Sequence, residues 1–229
     1  MRLDRFVSET TGLSRVDAKK VIHAKRVRVD DQVCRDTGYS VREGQQVSLD
    51  ERPLVRRGPL YLMLNKPEGT VCSHVADGHP SVLSLLPAEW RDGLHIAGRL
   101  DQDTTGLVLL TDDGQWSHRI TSPRRACTKV YRVGLAEPLQ ADAEAQCAQG
   151  ILLKGETDPT LPAQLERLSD TDVRIRIQEG RYHQVKRMFA ALGNRVVSLH
   201  REQVGAVALD PALAPGEWRE LTEDEVRGF

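Results

Sequence analysis

Nine residues, 51–59, divide this chain: they hold two prolines, a glycine and three arginines. Proline removes a backbone donor and glycine loosens the backbone, so such a run neither extends a strand nor continues a helix. Before it, apolar residues stand in ones and twos between charges. After it they gather in runs such as Leu60–Leu64 and Leu107–Leu110. The reading is a small module over 1–50, a linker over 51–59 and a larger module over 60–229. A total of 229 residues suits that division, because it leaves the second module enough chain for its own core.

Within the first module, Ser14 followed three residues later by Asp17 has the form of a capped helix start. Ala18, Val21 and Ile22 supply the buried stripe of a helix running to about Lys25. Val27 and Val29 alternate with charges as a half-buried strand does, Asp30-Asp31 makes a turn, and Val47 and Leu49 alternate again. Two short helices and a small sheet fit here. In the second module, strands are expected over Leu60–Leu64, over Leu107–Leu110 up to the turn Asp112-Asp113-Gly114, and around Tyr131, Val133 and Leu135. Another is expected where Val173, Ile175 and Ile177 alternate with Arg174 and Arg176. Helices are expected over 141–149 and 182–192, the latter burying Val185, Met188, Phe189 and Leu192 and stopped by Gly193. Thr222 and Glu225 cap a last short helix. Strands outnumber helices and do not alternate with them, so the class is α+β rather than doubly wound.

The 32 basic and 33 acidic residues nearly cancel, which argues against an indiscriminate polyanion binder. Locally the balance is different. Arg15, Lys19, Lys20, Lys25, Arg26 and Arg28 face one acid, Asp17, and Arg174, Arg176, Arg181, Lys186 and Arg187 face only Glu179. Two basic segments on a neutral chain suit the grip of one particular phosphate surface; two merely solvated faces are the plainer reading. No apolar run approaches the ~20 residues that span a bilayer, and Met1–Phe6 has no apolar signal core, so neither a membrane nor secretion is expected. Cys34, Cys72, Cys127 and Cys147 show no metal-ligand spacing, which fits reduced thiols in the cytoplasm and no bound metal.

Three segments hold side chains that could do chemistry. From Gly98 to Leu107 a polar loop with Arg99, Asp101 and Asp103 runs directly into a buried strand. It is either a hairpin with a self-satisfied Arg–Asp pair, or a carboxylate held charged beside a fixed cation, which can serve as a nucleophile. A magnesium site on Asp101 and Asp103 lacks a third carboxylate nearby. From Glu179 to Met188, Arg181, His183 and Lys186 cluster where a helix begins, a place that favours anions; a basic surface helix is the alternative. Tyr131 sits in a strand between basic neighbours, Lys129 and Arg132, where a core tyrosine with a wet hydroxyl is equally natural.

Together these segments resemble the pseudouridine synthase family. Asn65-Lys66-Pro67, Gly98-Arg99-Leu100-Asp101 with Thr105-Gly106-Leu107, Lys129 with Tyr131, and Gly180-Arg181 followed by His183-Gln184-Val185-Lys186-Arg187-Met188 stand in family order. Lys186 and its spacing resemble the group that acts on the small ribosomal subunit, group A. Arg2-Leu3-Asp4, Ser14-Arg15 and Val27 with Val29 resemble the RNA-binding domain of ribosomal protein S-four type.

The resemblance implies a fold, a reaction and roles. The fold would be a small RNA-binding α/β module plus a catalytic domain on a mixed, mainly antiparallel sheet with flanking helices. Asp101 would be the nucleophile that lets uracil leave ribose, turn and rejoin through carbon 5. Tyr131 would stack on the base and assist proton removal, and Lys186 would pair with the aspartate. Arg99 would sit near the flipped nucleotide, Lys66 and Ile177 would line the pocket, and Arg181 and His183 would bind substrate. Arg15, Lys19, Lys20, Lys25 and Arg26 would grip RNA. Asp103 receives no chemical role. The partner would be 16S rRNA, free or in an assembling small subunit, with uridine 516 as the family's precedent and a monomer acting without cofactor. Two alternatives stay open: a synthase for a large-subunit rRNA uridine, and a silent RNA-binding protein.

Overall fold

The computed structural model describes residues 1–55, 57–75 and 78–229. The chain forms two compact units, Met1–Gly58 and Pro59–Phe229. The first contains α1 (Leu3–Thr11), α2 (Arg15–His23), β1 (Val27–Val29), β2 (Gln32–Val33), β3 (Val47–Leu49) and β4 (Arg52–Leu54). The four strands make one antiparallel sheet in the order β2-β1-β3-β4. Leu3, Phe6 and Val7 of α1, Ala18 and Ile22 of α2, and Val27, Val29 and Val47 of the sheet close its core.

Two expectations are corrected here. The helix begun at Ser14, whose hydroxyl accepts from the Asp17 amide at 3.1 Å, ends at His23, because Lys25 takes a left-handed backbone at φ 62°. The expected linker is partly strand: Arg52–Leu54 pairs with β3, with Pro53 opposite Ser48. Proline is admissible there because β4 is an edge strand that needs no donor on its outer side. Arg56 of that segment lies outside the described residues.

The second unit contains β5 (Tyr61–Lys66), α3 (Ala88–Arg91), β6 (His95–Ala97), β7 (Thr105–Thr111), α4 (Gly114–Thr121), β8 (Lys129–Leu135) and α5 (Ala143–Gln149). It continues with β9 (Gln164–Arg167), β10 (Asp172–Ile177), α6 (Gln184–Ala191), β11 (Val196–Val204), β12 (Val207–Ala208), β13 (Trp218–Glu220) and α7 (Glu223–Arg227). The sheet runs β13-β5-β7-β11-β8-β10-β9, with β6 also on β7 and β12 on β11. Among the described strands of this sheet only β7 and β11 pair in parallel, and the other strand pairs are antiparallel. The sheet has two apolar faces, as the period-2 alternation of β5 and β7 requires. Leu62, Leu64, Val108 and Leu110 join the core that holds Tyr131, Ile175 and Phe189. Met63, Leu107 and Leu109 face the other way, against Trp116, Ile120 and Val204.

From the sequence, α3, β6, α4, β9, β11, β12 and β13 were not expected. Asp112-Asp113-Gly114 is no simple turn: the Asp113 carboxylate accepts from the amides of Gln115 and Trp116 and caps α4. β11 is the longest strand, at 9 residues. Its parallel seam with β7 explains one glycine: at Gly106, φ 101°, an added Cβ would stand 2.4 Å from the Arg201 carbonyl oxygen.

The C-terminal turn gives a pH-dependent contribution to stability. The Thr222 hydroxyl and the Glu225 carboxylate form a reciprocal capping box, and Arg219 donates to both Glu225 oxygens at 2.8 Å. That arginine, above all, holds the Glu225 carboxyl down at about 2. A depressed carboxylate stabilises the fold above its ordinary pKa and loses that effect as pH falls towards the depressed value. Glu225→Gln is expected to lose about 1–3 kcal/mol at neutral pH. The gap to the unsubstituted protein should close as pH falls below about 4.5. Denaturant melts across that range check this; a gap independent of pH would rule the ion pair out as its source.

Candidate active site

The loop 98–104 between β6 and β7 is held from beneath by two buried cations. Lys66, fully buried at the end of β5, donates to the carbonyls of Thr104 at 2.7 Å and of Pro67 and Gln102 at 3.1 Å. Burial pulls its ammonium below the usual lysine range. Arg201 of β11 is 2% exposed; it donates to the carbonyls of Leu107 at 2.8 Å and Gly98 at 2.9 Å. Its guanidinium also reaches the Tyr131 hydroxyl at 3.5 Å. A third hold comes from the buried Cys72, whose sulfur accepts from the Leu100 amide at 3.3 Å. Asp101, the next residue, is thereby fixed at the loop's crest.

The cation beside Asp101 comes from a distant element. Arg99 makes no ion pair with it; Lys186 of α6 does, donating from Nζ to Asp101 Oδ2 at 2.9 Å and to Asp103 Oδ1 at 2.6 Å. His183 approaches the other oxygen, Nε2 to Oδ1 3.3 Å. The helix starts where these side chains are needed because Gln184 folds back: its Oε1 accepts from the Arg181 amide at 2.9 Å, and its Nε2 donates to Glu179 at 2.8 Å. Burial opposes the charge on Lys186, but the hydrogen bonds to Asp103 and Asp101 outweigh it and raise its pKa. The same lysine, mainly through its hydrogen bond, lowers that of Asp103.

Above the loop lies a cavity of about 100 Å³ lined by Arg99, Asp101, Tyr131, Ile177, His183 and Lys186, with Leu199. With Arg181, seven of the eight substrate-side residues singled out from the sequence therefore share this cavity. Arg181 also lines it, yet its guanidinium is committed to Glu179, Glu156 and the carbonyls of Asp158 and Pro159. Lys66 does not line it: full burial turns its ammonium to the loop's carbonyls, so it supports Asp101 instead of facing a ligand. Asp103, expected to have no role, shares the lysine of Asp101. Arg201 and Cys72 were missed. The signal for Arg201 was an arginine two residues after Leu199, in the inward phase of a strand.

Of the five basic residues singled out in the first unit, three are tied to acids. Arg15 meets Asp4 at 3.1 Å, Lys20 meets Asp17 at 2.8 Å, and Arg26 meets Asp50 at 2.9 Å. Lys19 and Lys25 are exposed, with no partner among the described residues. Among those residues no three metal-ligating side chains cluster, and no helix is long and apolar enough to cross a membrane.

The sequence model of the RNA pseudouridylate synthase family matches residues 60–191, and that of the S4 domain matches residues 1–47. The ribosomal small subunit pseudouridine synthase A of Escherichia coli (strain K12) is 53% identical over 229 residues, covering 99% of this chain and 98% of that protein. Its namesake from Vibrio cholerae is 51% identical over 226 residues, with the same two coverages of 99% and 98%. A crystal structure of a pseudouridylate synthase superposes with TM-score 0.73 at 48% identity, covering 100% of this chain and 99% of that one. With an aspartate held between lysine and histidine at a cavity that Tyr131 also lines, and with matches of this extent, the chain belongs to the RNA pseudouridylate synthase family, whose members are RNA isomerases.

Proposed function

We propose that this enzyme isomerises one uridine of small-subunit rRNA, that Asp101 is its nucleophile, and that the target is the family's precedent, uridine 516 of 16S rRNA. The observation that carries the reading is the Asp101 carboxylate, with both oxygens met by cationic or donor side chains at 2.9 and 3.3 Å at the edge of the Tyr131 cavity. A carboxylate so held has one geometry to offer, which is what a positioned nucleophile requires. In the isomerisation an Asp101 oxygen bonds to the nucleoside, the bond between N1 and C1′ breaks, a bond between C5 and C1′ forms, and the bond to Asp101 is broken again to return the carboxylate. C5 must lose a proton and N1 gain one. Tyr131 lines the cavity, where its ring can stack on uracil and assist the proton's departure. No atom or electron is gained or lost overall, so the reaction as written needs no co-reactant.

The uridine must leave its stack to reach Asp101, at a cost of a few kcal/mol. Phosphate contacts can offset that cost. Lys19 and Lys25, exposed and with no side-chain partner among the described residues, are free to make them.

The test is to incubate the purified protein with 16S and large-subunit transcripts and map pseudouridine by chemical modification and primer extension. One new pseudouridine, at uridine 516 of the 16S transcript, is expected. Product only in the large-subunit transcript would overturn the substrate reading, and product in neither but in an assembling particle would move the substrate to the particle.

A further inference from the structure

The chain has ten aromatic residues, and nine of them are buried or partly buried. The tenth, Tyr182, is 77% exposed. It stands beside the active site, one residue before the histidine that meets Asp101. Its ring lies flat on the His183 ring, with centroids 3.8 Å apart and planes inclined by 21°.

The stack accompanies a left-handed backbone at His183, φ 47°, a conformation uncommon for residues other than glycine. The surrounding turn holds that conformation through Gln184 and Glu179, and Arg187 donates to the Tyr182 carbonyl at 3.1 Å. One face of the tyrosine ring is thus backed by imidazole. The other is open, and the hydroxyl has no partner among the described residues. The neighbouring cavity wall adds Arg99, exposed and with no partner for its guanidinium among those residues, which suits a polyanionic strand.

A uridine that swings out of an RNA helix bares the face of the base next to it. A rigid ring presented at the mouth of the site can cover that face, and base–aromatic stacking accepts any base because each has a π-face. We propose that Tyr182, backed by His183, is a stacking platform for the nucleobase adjacent to the flipped uridine. The proposal deepens the reading above and rests on RNA being the substrate.

The test uses the full-length protein and three short RNAs that carry the target uridine. One is intact, one is abasic on the 5′ side of the uridine and one is abasic on its 3′ side. Tyr182→Ala should raise KM for the intact RNA by about 5- to 100-fold and leave kcat at saturation nearly unchanged. Tyr182→Phe and Tyr182→Trp should restore KM. One abasic RNA should show the same rise with the unsubstituted protein and no further rise with Tyr182→Ala. If Tyr182 only orients His183 towards Asp101, Tyr182→Ala will lower kcat on all three RNAs alike, and the platform is refuted. An unchanged KM refutes it too. Kd for the same set reads the platform without turnover, so an unmodified uridine would count against the substrate reading alone.

Discussion

Asp101→Asn is expected to reduce pseudouridine formation by at least about 10⁴-fold, the order of loss that follows removal of an essential nucleophile. The amide has nearly the carboxylate's shape but cannot supply the electron pair that carries the reaction. The fold should hardly notice. Lys186 keeps Asp103 at 2.6 Å, and the loop keeps its supports from Lys66, Cys72 and Arg201. The melting temperature should therefore shift by no more than about 2–4 °C, equivalent to about 1 kcal/mol in a unit of this size, with rRNA affinity retained. Asp103→Asn makes the informative comparison, though it is not silent. It removes one of the two carboxylates on Lys186, but its side chain is 64% exposed. Pairs so open to water contribute about 1 kcal/mol or less, so its activity should stay within about tenfold. Melting curves, filter binding and product mapping on both variants check this. Substantial turnover by Asp101→Asn would remove the aspartate mechanism, and equal losses in the two variants would make the pair a charge cluster with no distinct nucleophile.

How much of this was legible in the sequence depends on how local the determinant was. The Asp101 loop, Tyr131 and Lys186 each sit in a short segment with its own signature, and β8, β10 and α6 follow from strict 2- and 3.6-residue apolar periods. The family motifs then brought the segments to one place. What the periods could not give was partner choice. Arg99 is the cation nearest Asp101 in sequence, yet Lys186 holds it from 85 residues away. Lys66 looks like a ligand-facing lysine until its burial is known. β11 escaped notice because His200, Arg201 and Glu202 interrupt its apolar pattern. A central strand can carry them because each face offers polar partners: His200 Nδ1 lies 2.8 Å from the Thr105 hydroxyl, and Arg201 reaches loop carbonyls on the other side. The S4-type unit was read correctly as two helices and a small sheet. Its last strand was taken for linker because Pro53 masks an edge strand.

Arg201→Met should give the second-largest effect, and it separates support of the site from chemistry within it. Arg201 is 2% exposed and has no carboxylate partner among the described residues; its hydrogen bonds go to the carbonyls of Leu107, Gly98 and Arg99 and to the Tyr131 hydroxyl. Methionine fills much of the volume and removes the buried charge, but leaves the two closely held carbonyls short of a donor. At about 1–3 kcal/mol for each unsatisfied group, the loss is about 2–6 kcal/mol. At about 2–4 °C per kcal/mol the melting temperature should fall by roughly 5–20 °C. Activity measured well below both melting points should also fall, by about 10²-fold, because a displacement of about 1 Å in the Asp101 loop is enough to cost that much. Arg201→Lys retains the charge, yet one ammonium cannot span carbonyls on both β7 and the loop, so it should recover little of either loss. The order of effects is the discriminating result. Asp101→Asn should lose activity with its stability intact, whereas Arg201→Met should lose both together. An Arg201→Met protein that melts like the unsubstituted chain yet has lost activity would place Arg201 among the groups that act on the substrate, not beneath them.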